Sequence, residues 1–196
     1  MQEKSTRTPN AERRAQMRAR LIEAARALFV EKGYAEASTP EIVRMAGATR
    51  GALYHHFEDK QALFRAVVEA EAQAVTEVID TASTTVDTLD ALAEGSRAFF
   101  DAMSDAARAQ LLLVDGPAVL GAAEMDRIDA GGGRQSLLVG LKAAHPDHDE
   151  ETLAAMAVVL SAAFDRAALE VAQSGADPTV FEGVLNRLMG AAFEPK

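Results

Sequence analysis

From Met17 onward the chain places apolar residues three and four apart. Met17, Leu21, Ala25, Leu28 and Phe29 form one stripe, the spacing of a helix with a single buried face. The pattern predicts a first helix from about Ala11 to Lys32, closed by Gly33 as a left-handed cap. A short second helix follows from about Pro40 to Met45. Ser38 or Thr39 can cap it, Pro40 suits the first turn, where a missing N–H costs nothing, and Ser38 with Glu41 has capping-box spacing. Thr49 caps a third helix reaching about Phe57. Asp59 caps a fourth, from Lys60 to about Ala82, with Leu63, Phe64, Val67, Val68, Val75 and Val78 facing inward.

The polar, β-branched stretch from Ser83 to Asp87 breaks this pattern and reads as a link into a second domain. A fifth helix spans about Thr88 to Met103. A sixth spans about Ala106 to Val114 and is stopped by Asp115-Gly116-Pro117. A seventh runs from about Gly121 to Ala144, with a kink or break expected at Gly131-Gly132-Gly133, because three glycines cost roughly 2–3 kcal/mol of helix propensity. Asp149 opens an eighth helix that ends at Ser174 with Gly175 as cap, and Asp177-Pro178 starts a ninth ending near Ala192. No alternating run is long enough for a sheet. The expected fold is all-α with about nine helices. A flexible basic arm covers 1–12, a three-helix helix-turn-helix domain 13–62, and a helical effector-binding and dimerisation domain 63–196.

Charge sharpens this division. The net charge of -10 argues against nucleic acid until its distribution is read. Residues 1–65 hold 12 Lys+Arg and 8 Asp+Glu, a balance of +4, while residues 66–196 hold 8 and 22, a balance of -14. A basic head on an acidic body can dock on phosphate through one end; an acidic tail serving solubility alone gives the same count. There is no cysteine, which excludes disulfides, thiolate catalysis and cysteine-ligated zinc and fits a reducing cytosol. No secretory signal is expected behind the polar start Met1–Arg7, and no membrane span, since no uninterrupted run of about 18 apolar residues occurs. A cytoplasmic protein is the expectation.

The most informative stretch is STPEIVRMAGATRGALYHHFEDK, from Ser38 to Lys60. Two short helices are joined by a tight glycine turn, with Ile42, Ala46, Leu53 and Phe57 spaced to pack inward. The second helix of such a pair can lie in the major groove with its first residues at base edges. Thr49, Arg50, Gly51, Tyr54 and His55 lie on or near that face. Arg50 can donate twice to guanine, Gly51 lets the backbone approach, and Thr49, Tyr54, His55 and Lys60 carry donors suited to phosphate oxygens.

These residues resemble the DNA-binding domain of the TetR/AcrR family of bacterial regulators. The likeness rests on Gly33-Tyr34, Ser38-Thr39, Ile42, Ala46-Gly47, Gly51-Ala52-Leu53-Tyr54, Phe57 and Lys60, and covers roughly residues 15–65. Val43 departs from it, standing where the family usually carries alanine. The string from Leu112 to Gly121 looks like a turn found in one group of these regulators. The resemblance implies DNA binding through Ser38, Thr39, Thr49, Arg50, Gly51, Tyr54, His55 and Lys60. It also implies a two-fold dimer, with repression as the usual mode.

Two further apolar stripes bear on assembly. Leu153, Met156, Leu160, Ala163, Phe164, Ala167 and Val171 form one, and Val180, Phe181, Val184, Leu185, Leu188 and Met189 the other. Antiparallel helices of this kind form half a four-helix bundle. A second chain completes it through Leu153, Met156, Leu160, Phe164, Ala167, Phe181, Val184, Leu185 and Leu188; the alternative is burial against helices five to seven of the same chain. A two-fold dimer sets its recognition helices about one DNA turn (~34–36 Å) apart on a palindromic operator. Phe99, Phe100, Met103, Leu112, Leu113, Leu120, Met125, Leu138 and Phe164 are either ordinary core or the wall of a pocket for a small apolar or amphipathic effector, with a cationic one also permitted by the acidic excess.

The remaining motifs add little chemistry. His55 and His56 diverge on a helix and cannot easily share an ion. The run from His145 to Glu151 reads as a solvated loop leading into an acidic helix start. Gly131–Gly133 lacks the strand and spacing of a phosphate loop. Arg7, Arg13, Arg14 and Arg18 are either a solubilising arm or a contact to phosphate or the minor groove. No metal, cofactor or catalytic residue is expected, so the reading is a DNA-binding regulator rather than an enzyme. It partners double-stranded operator DNA, a small-molecule effector and a second copy of itself, and no membrane. A helical partner-binding module without small-molecule control is the alternative.

Overall fold

Side chains start helices by accepting the unpaired N–H groups of the first turn. Thr49 Oγ1 accepts from Ala52 N–H at 3.1 Å, Asp59 Oδ1 from Ala62 N–H at 2.7 Å, Asp105 Oδ1 from Ala107 N–H at 2.9 Å and Asp149 Oδ1 from Thr152 N–H at 2.8 Å. A computed structural model describes residues 9–84 and 88–191. Arg7 and most of the basic arm, part of the link after Ser83, and Ala192 lie outside the described residues. Among the described residues there is no strand.

The elements are α1 Pro9–Glu36, α2 Thr39–Met45, α3 Arg50–His56, α4 Lys60–Ser83, α5 Thr88–Met103, α6 Ala106–Gln110, a π turn Leu111–Asp115, α7 Gly116–Leu120, α8 Ala122–Ala130, α9 Gly133–Ala144, α10 Glu150–Ser174 and α11 Pro178–Ala191. They divide into a first unit that ends at Val68 and a second that begins at Glu69. The division falls inside α4, later than the expected limit at 62/63, because Leu63, Phe64, Val67 and Val68 are all buried.

Two details depart from the sequence expectation, at Gly33 and at Pro117, while the break expected in the seventh helix is present. Gly33 breaks α1 with φ 77 and ψ 166, a positive-φ extended bend rather than a left-handed helical cap. Pro117 does not stop the sixth helix. The chain passes through a π turn in which Gly116 N–H bonds to Leu111 O, and Pro117 then falls in the first turn of α7. Widening the turn accommodates a ring that would otherwise collide with the preceding carbonyl. The helix ends instead at Gly121, where φ is 84. The seventh helix is divided at Gly131 and Gly132 into α8 and α9.

The first unit closes around aromatic rings. Phe29 and Phe64 meet edge-on at 5.1 Å and Tyr34 meets Phe64 at 5.0 Å, with Leu21, Leu28, Ile42 and Leu53 buried. In the second unit Phe100, Leu141, Leu153, Leu160, Phe164 and Leu185 share one core. Glu71 of α4, 8% exposed, accepts from Arg108 Nε of α6 at 2.9 Å, a charge-assisted bond that ties two elements of the second unit. By length and composition α10 could cross a membrane, its most apolar stretch having a mean hydropathy of 1.5. Here one face of α10 carries six buried residues of the core. Val78, expected to face inward, is 46% exposed.

Phe64→Ala removes the ring that both Phe29 and Tyr34 contact. It is expected to lower the stability of the first unit by about 3–5 kcal/mol, measured by denaturant unfolding.

Candidate nucleic-acid interface and internal cavity

The turn between α2 and α3 needs glycine twice over. Gly47 has φ 57, and a Cβ there would lie 2.7 Å from Arg20 Nη2. The same nitrogen of α1 donates to the carbonyl oxygens of Ala46 and Gly47, so the guanidinium pins the turn that a side chain would push away. Beneath the turn Ile42, Ala46, Leu53 and Phe57 are buried. At the start of α2 the Glu41 carboxylate accepts from the Ser38 hydroxyl at 2.8 Å and pairs with Lys32 at 2.6 Å. Those two bonds, Lys32 first, hold the Glu41 pKa down to about 2.

With its inner face engaged, α3 leaves Thr49, Arg50, Gly51, Tyr54 and His55 exposed. The Arg50 guanidinium lies 5.6 Å above the Tyr54 ring, so the two present one cationic and aromatic surface. Thr49 Oγ1 accepts its own helix's N–H and keeps its hydroxyl proton for another acceptor. Ser38 and Thr39 are half-buried at the start of α2. Arg18 of α1 stands 5.3 Å from the Phe57 ring. Burial first, then the charges of His55, Arg14 and Arg18, lower the His56 pKa, which puts arginines of α1 beside the end of α3.

Lys60 is placed differently from a phosphate donor. Its ammonium donates to the carbonyl oxygens of Tyr34 at 2.8 Å and of Ala35 and Ala37 at 3.3 Å, and lies 4.4 Å from the Tyr34 ring. Its donors are spent on the frayed end of α1, where free carbonyls collect. The sequence hid this because the partners lie more than twenty residues away.

The second unit holds a half-open cavity of about 1060 Å³ lined by α4, α5, the π turn, α7, α8, α9, α10 and α11. Phe99, Met103, Leu112, Leu113, Met125 and Phe164 line it. Of the other three residues read as pocket wall, Phe100 is 5% exposed in the core, Leu138 packs against that core beside a smaller cavity, and Leu120 ends α7 off the wall. The sequence reading missed the polar positions of the wall, notably Asp129, Arg134 and Asp165. A search for apolar stripes passes over them, although Ser161 and Asp165 on α10 share the helical spacing of the face they occupy. Asp165 is open to the space of the cavity, yet burial by the surrounding protein and then the charge of Asp129 push its pKa up to about 7.

The stripes read as a dimer face are largely used within one chain. Leu153, Leu160, Phe164, Ala167 and Leu185 are buried in the core, with Met156 and Phe181 packed against it. Both helices already meet α5, which absorbs the apolar excess that the sequence left for a partner. What stays exposed is Val184 at 41% and Leu188 at 51%, together with Val180 on the same helix and Val159 on α10. His145 and His148 face each other at 6.0 Å. Among the described residues no three His, Asp or Glu side chains are grouped to hold a metal ion.

Comparison with known proteins agrees with these two units. A family model described as bacterial regulatory proteins, tetR family, matches residues 21–67, and one described as tetracyclin repressor-like, C-terminal domain, matches residues 89–191. The transcriptional repressor AcnR of Corynebacterium diphtheriae is 39% identical over 62 residues, 32% of this chain and 33% of that protein. The transcriptional activator FasR of Mycolicibacterium smegmatis is 36% identical over 99 residues, 50% of this chain and 43% of that protein. The chain thus spans less than half the length of these relatives. A solved TetR-family regulator from Pectobacterium atrosepticum superposes with a TM-score of 0.71 at 26% identity, covering 97% of this chain and all of the other.

An acid whose folded pKa is raised costs stability as pH climbs from its ordinary 3.8 toward the folded value. Asp165→Asn is therefore expected to raise the melting temperature at pH 8, with the gain shrinking as pH falls from 7 toward 4. Differential scanning calorimetry across that range checks it; a gain independent of pH contradicts it.

Proposed function

Because this chain belongs to the TetR family of bacterial regulatory proteins, we propose that it is a cytoplasmic transcriptional repressor that binds a palindromic operator as a homodimer and is released by a small apolar or amphipathic effector. The observation that carries the DNA half is the exposed face of α3. Arg50, Tyr54 and His55 stand clear of the protein on a helix whose opposite side is anchored. Arg50 reads guanine by paired donors, while Thr49 and Tyr54 hold phosphate oxygens and so set register. Thr39, at the start of α2, adds a hydroxyl suited to phosphate oxygens, while Ser38 donates to Glu41. Lys60 acts indirectly, by holding α4 to the end of α1. Arg13, Arg14 and Arg18 extend the positive edge.

The effector half is supported by the cavity of about 1060 Å³ and its largely apolar wall, a size at the upper end of ordinary ligand sites. Ala72, Val75, Thr76 and Ile79 of α4 line it, and Leu63, Phe64 and Val67 of the same helix lie in the core of the first unit. A ligand that fits one arrangement of α4 better than another shifts the population away from the arrangement that suits DNA. The dimer face of this reading is the exposed stripe Val180, Val184 and Leu188, four residues apart on α11.

In vitro selection of duplexes from a random pool is expected to return a two-fold symmetric consensus. On that operator Arg50→Ala should lose about 1–3 kcal/mol per half-site in fluorescence anisotropy. A selection that enriches no sequence contradicts the reading. Val184→Asp with Leu188→Asp should convert a dimer to monomers in sedimentation velocity while helicity by circular dichroism is kept.

A further inference from the structure

The cavity of the second unit is distinguished by its charge as much as by its size. Its wall carries Asp80, Asp126, Asp129 and Asp165 against Arg134 and Arg166. Three of the acids are already engaged. Asp80 accepts from Ser136 Oγ at 2.6 Å, Asp126 pairs with Arg134 Nη1 at 2.7 Å, and Asp129 accepts from Ser161 Oγ at 2.7 Å with Arg134 Nε at 3.6 Å. Arg166 is turned to Glu170, 2.6 Å away. Asp165 has neither an ion-pair nor a hydrogen-bond partner among the described residues. A second polar group on the same wall is also unsatisfied. Ser96 of α5 is 3% exposed and its hydroxyl oxygen, buried, has no hydrogen-bond partner.

Buried polar groups ordinarily find partners. Ser96 is buried without one, and Asp165, open to the cavity, has none either; the two mark where a ligand's polar atoms belong. We propose that this cavity takes an amphipathic organic cation, its amine or quaternary ammonium seated at Asp165, its carbon skeleton against Phe99, Met103, Leu112 and Phe164, and a polar substituent within reach of Ser96. The inference rests on the reading of the cavity as the effector site and adds the chemical class of the effector. A desolvated cation needs a counter-charge, and Asp165 is the wall carboxylate left to supply it. An anionic headgroup meets four carboxylates and two arginines that already have partners. Burial and Asp129 hold the Asp165 pKa at about 7; a bound cation favours the ionised form, so binding expels a proton near neutral pH.

Isothermal titration calorimetry of the full chain with three probes that share a ten-carbon alkyl chain, each below its micelle concentration, tests this. The probes are decyltrimethylammonium, decanol and decyl sulfate. At pH 8 the cation should bind about tenfold tighter than decanol, and decyl sulfate weakest. The cation's advantage should fade between pH 8 and pH 5.5 while decanol binding stays level. Asp165→Asn should bring the cation down to the affinity of decanol and leave decanol unchanged, and its calorimetric melting transition shows that the variant is folded. Equal binding of cation and decanol to the unaltered chain, or undiminished cation binding by Asp165→Asn, overturns the cationic class and leaves the cavity as an effector site. If no probe binds, the effector reading of the cavity falls together with the inference.

Discussion

A helix of seven residues does not persist in water by itself, and this protein presents Arg50, Tyr54 and His55 on one. What keeps α3 in place is a set of contacts on the side away from those residues. Leu53 and Phe57 are buried, Thr49 caps the first turn, and Arg20 holds the turn at Ala46 and Gly47. The buried contacts use up the inner face and leave Arg50, Tyr54 and His55 exposed on the outer one. An exposed surface on so short a helix is rigid only because its back is bound.

The second unit solves the opposite problem. A cavity of about 1060 Å³ forfeits contacts that close packing would supply, so the rest of the unit must compensate. It does so through α10. One face of that helix carries Leu153, Leu160, Phe164 and Ala167 into the core, while Val158, Ser161 and Asp165 look into the cavity. The Glu71–Arg108 pair ties α4 to α6, and the π turn lets a helix with a proline in it continue along the wall.

Charge is partitioned in the same way as the packing. The basic excess lies in the part that carries the helix-turn-helix, and the acidic excess in the part that carries the cavity. A positive end accelerates and strengthens approach to phosphate. On the proposed function, an acidic wall would favour a cation, so that one chain would separate two partners by electrostatics.

Local rules made much of this legible in the sequence. Caps at Thr49, Asp59 and Asp149, the helical stripes and the breaks at Gly131 and Gly175 all depend on neighbours within about four positions, and the sequence alone determines them. The tertiary structure decided what depends on distant partners. Lys60 became an anchor because free carbonyls at the end of α1 fold back to it. The stripe of α10 became core because α5 and α9 cover it. Pro117 stayed within a helix because Leu111 could bond one residue further along. Asp165 became an unpaired acid on a cavity wall because the arginines of that wall are paired with Asp126, Asp129 and Glu170. Side-chain periodicity tells which face of a helix is apolar; only the packed arrangement tells what lies opposite that face.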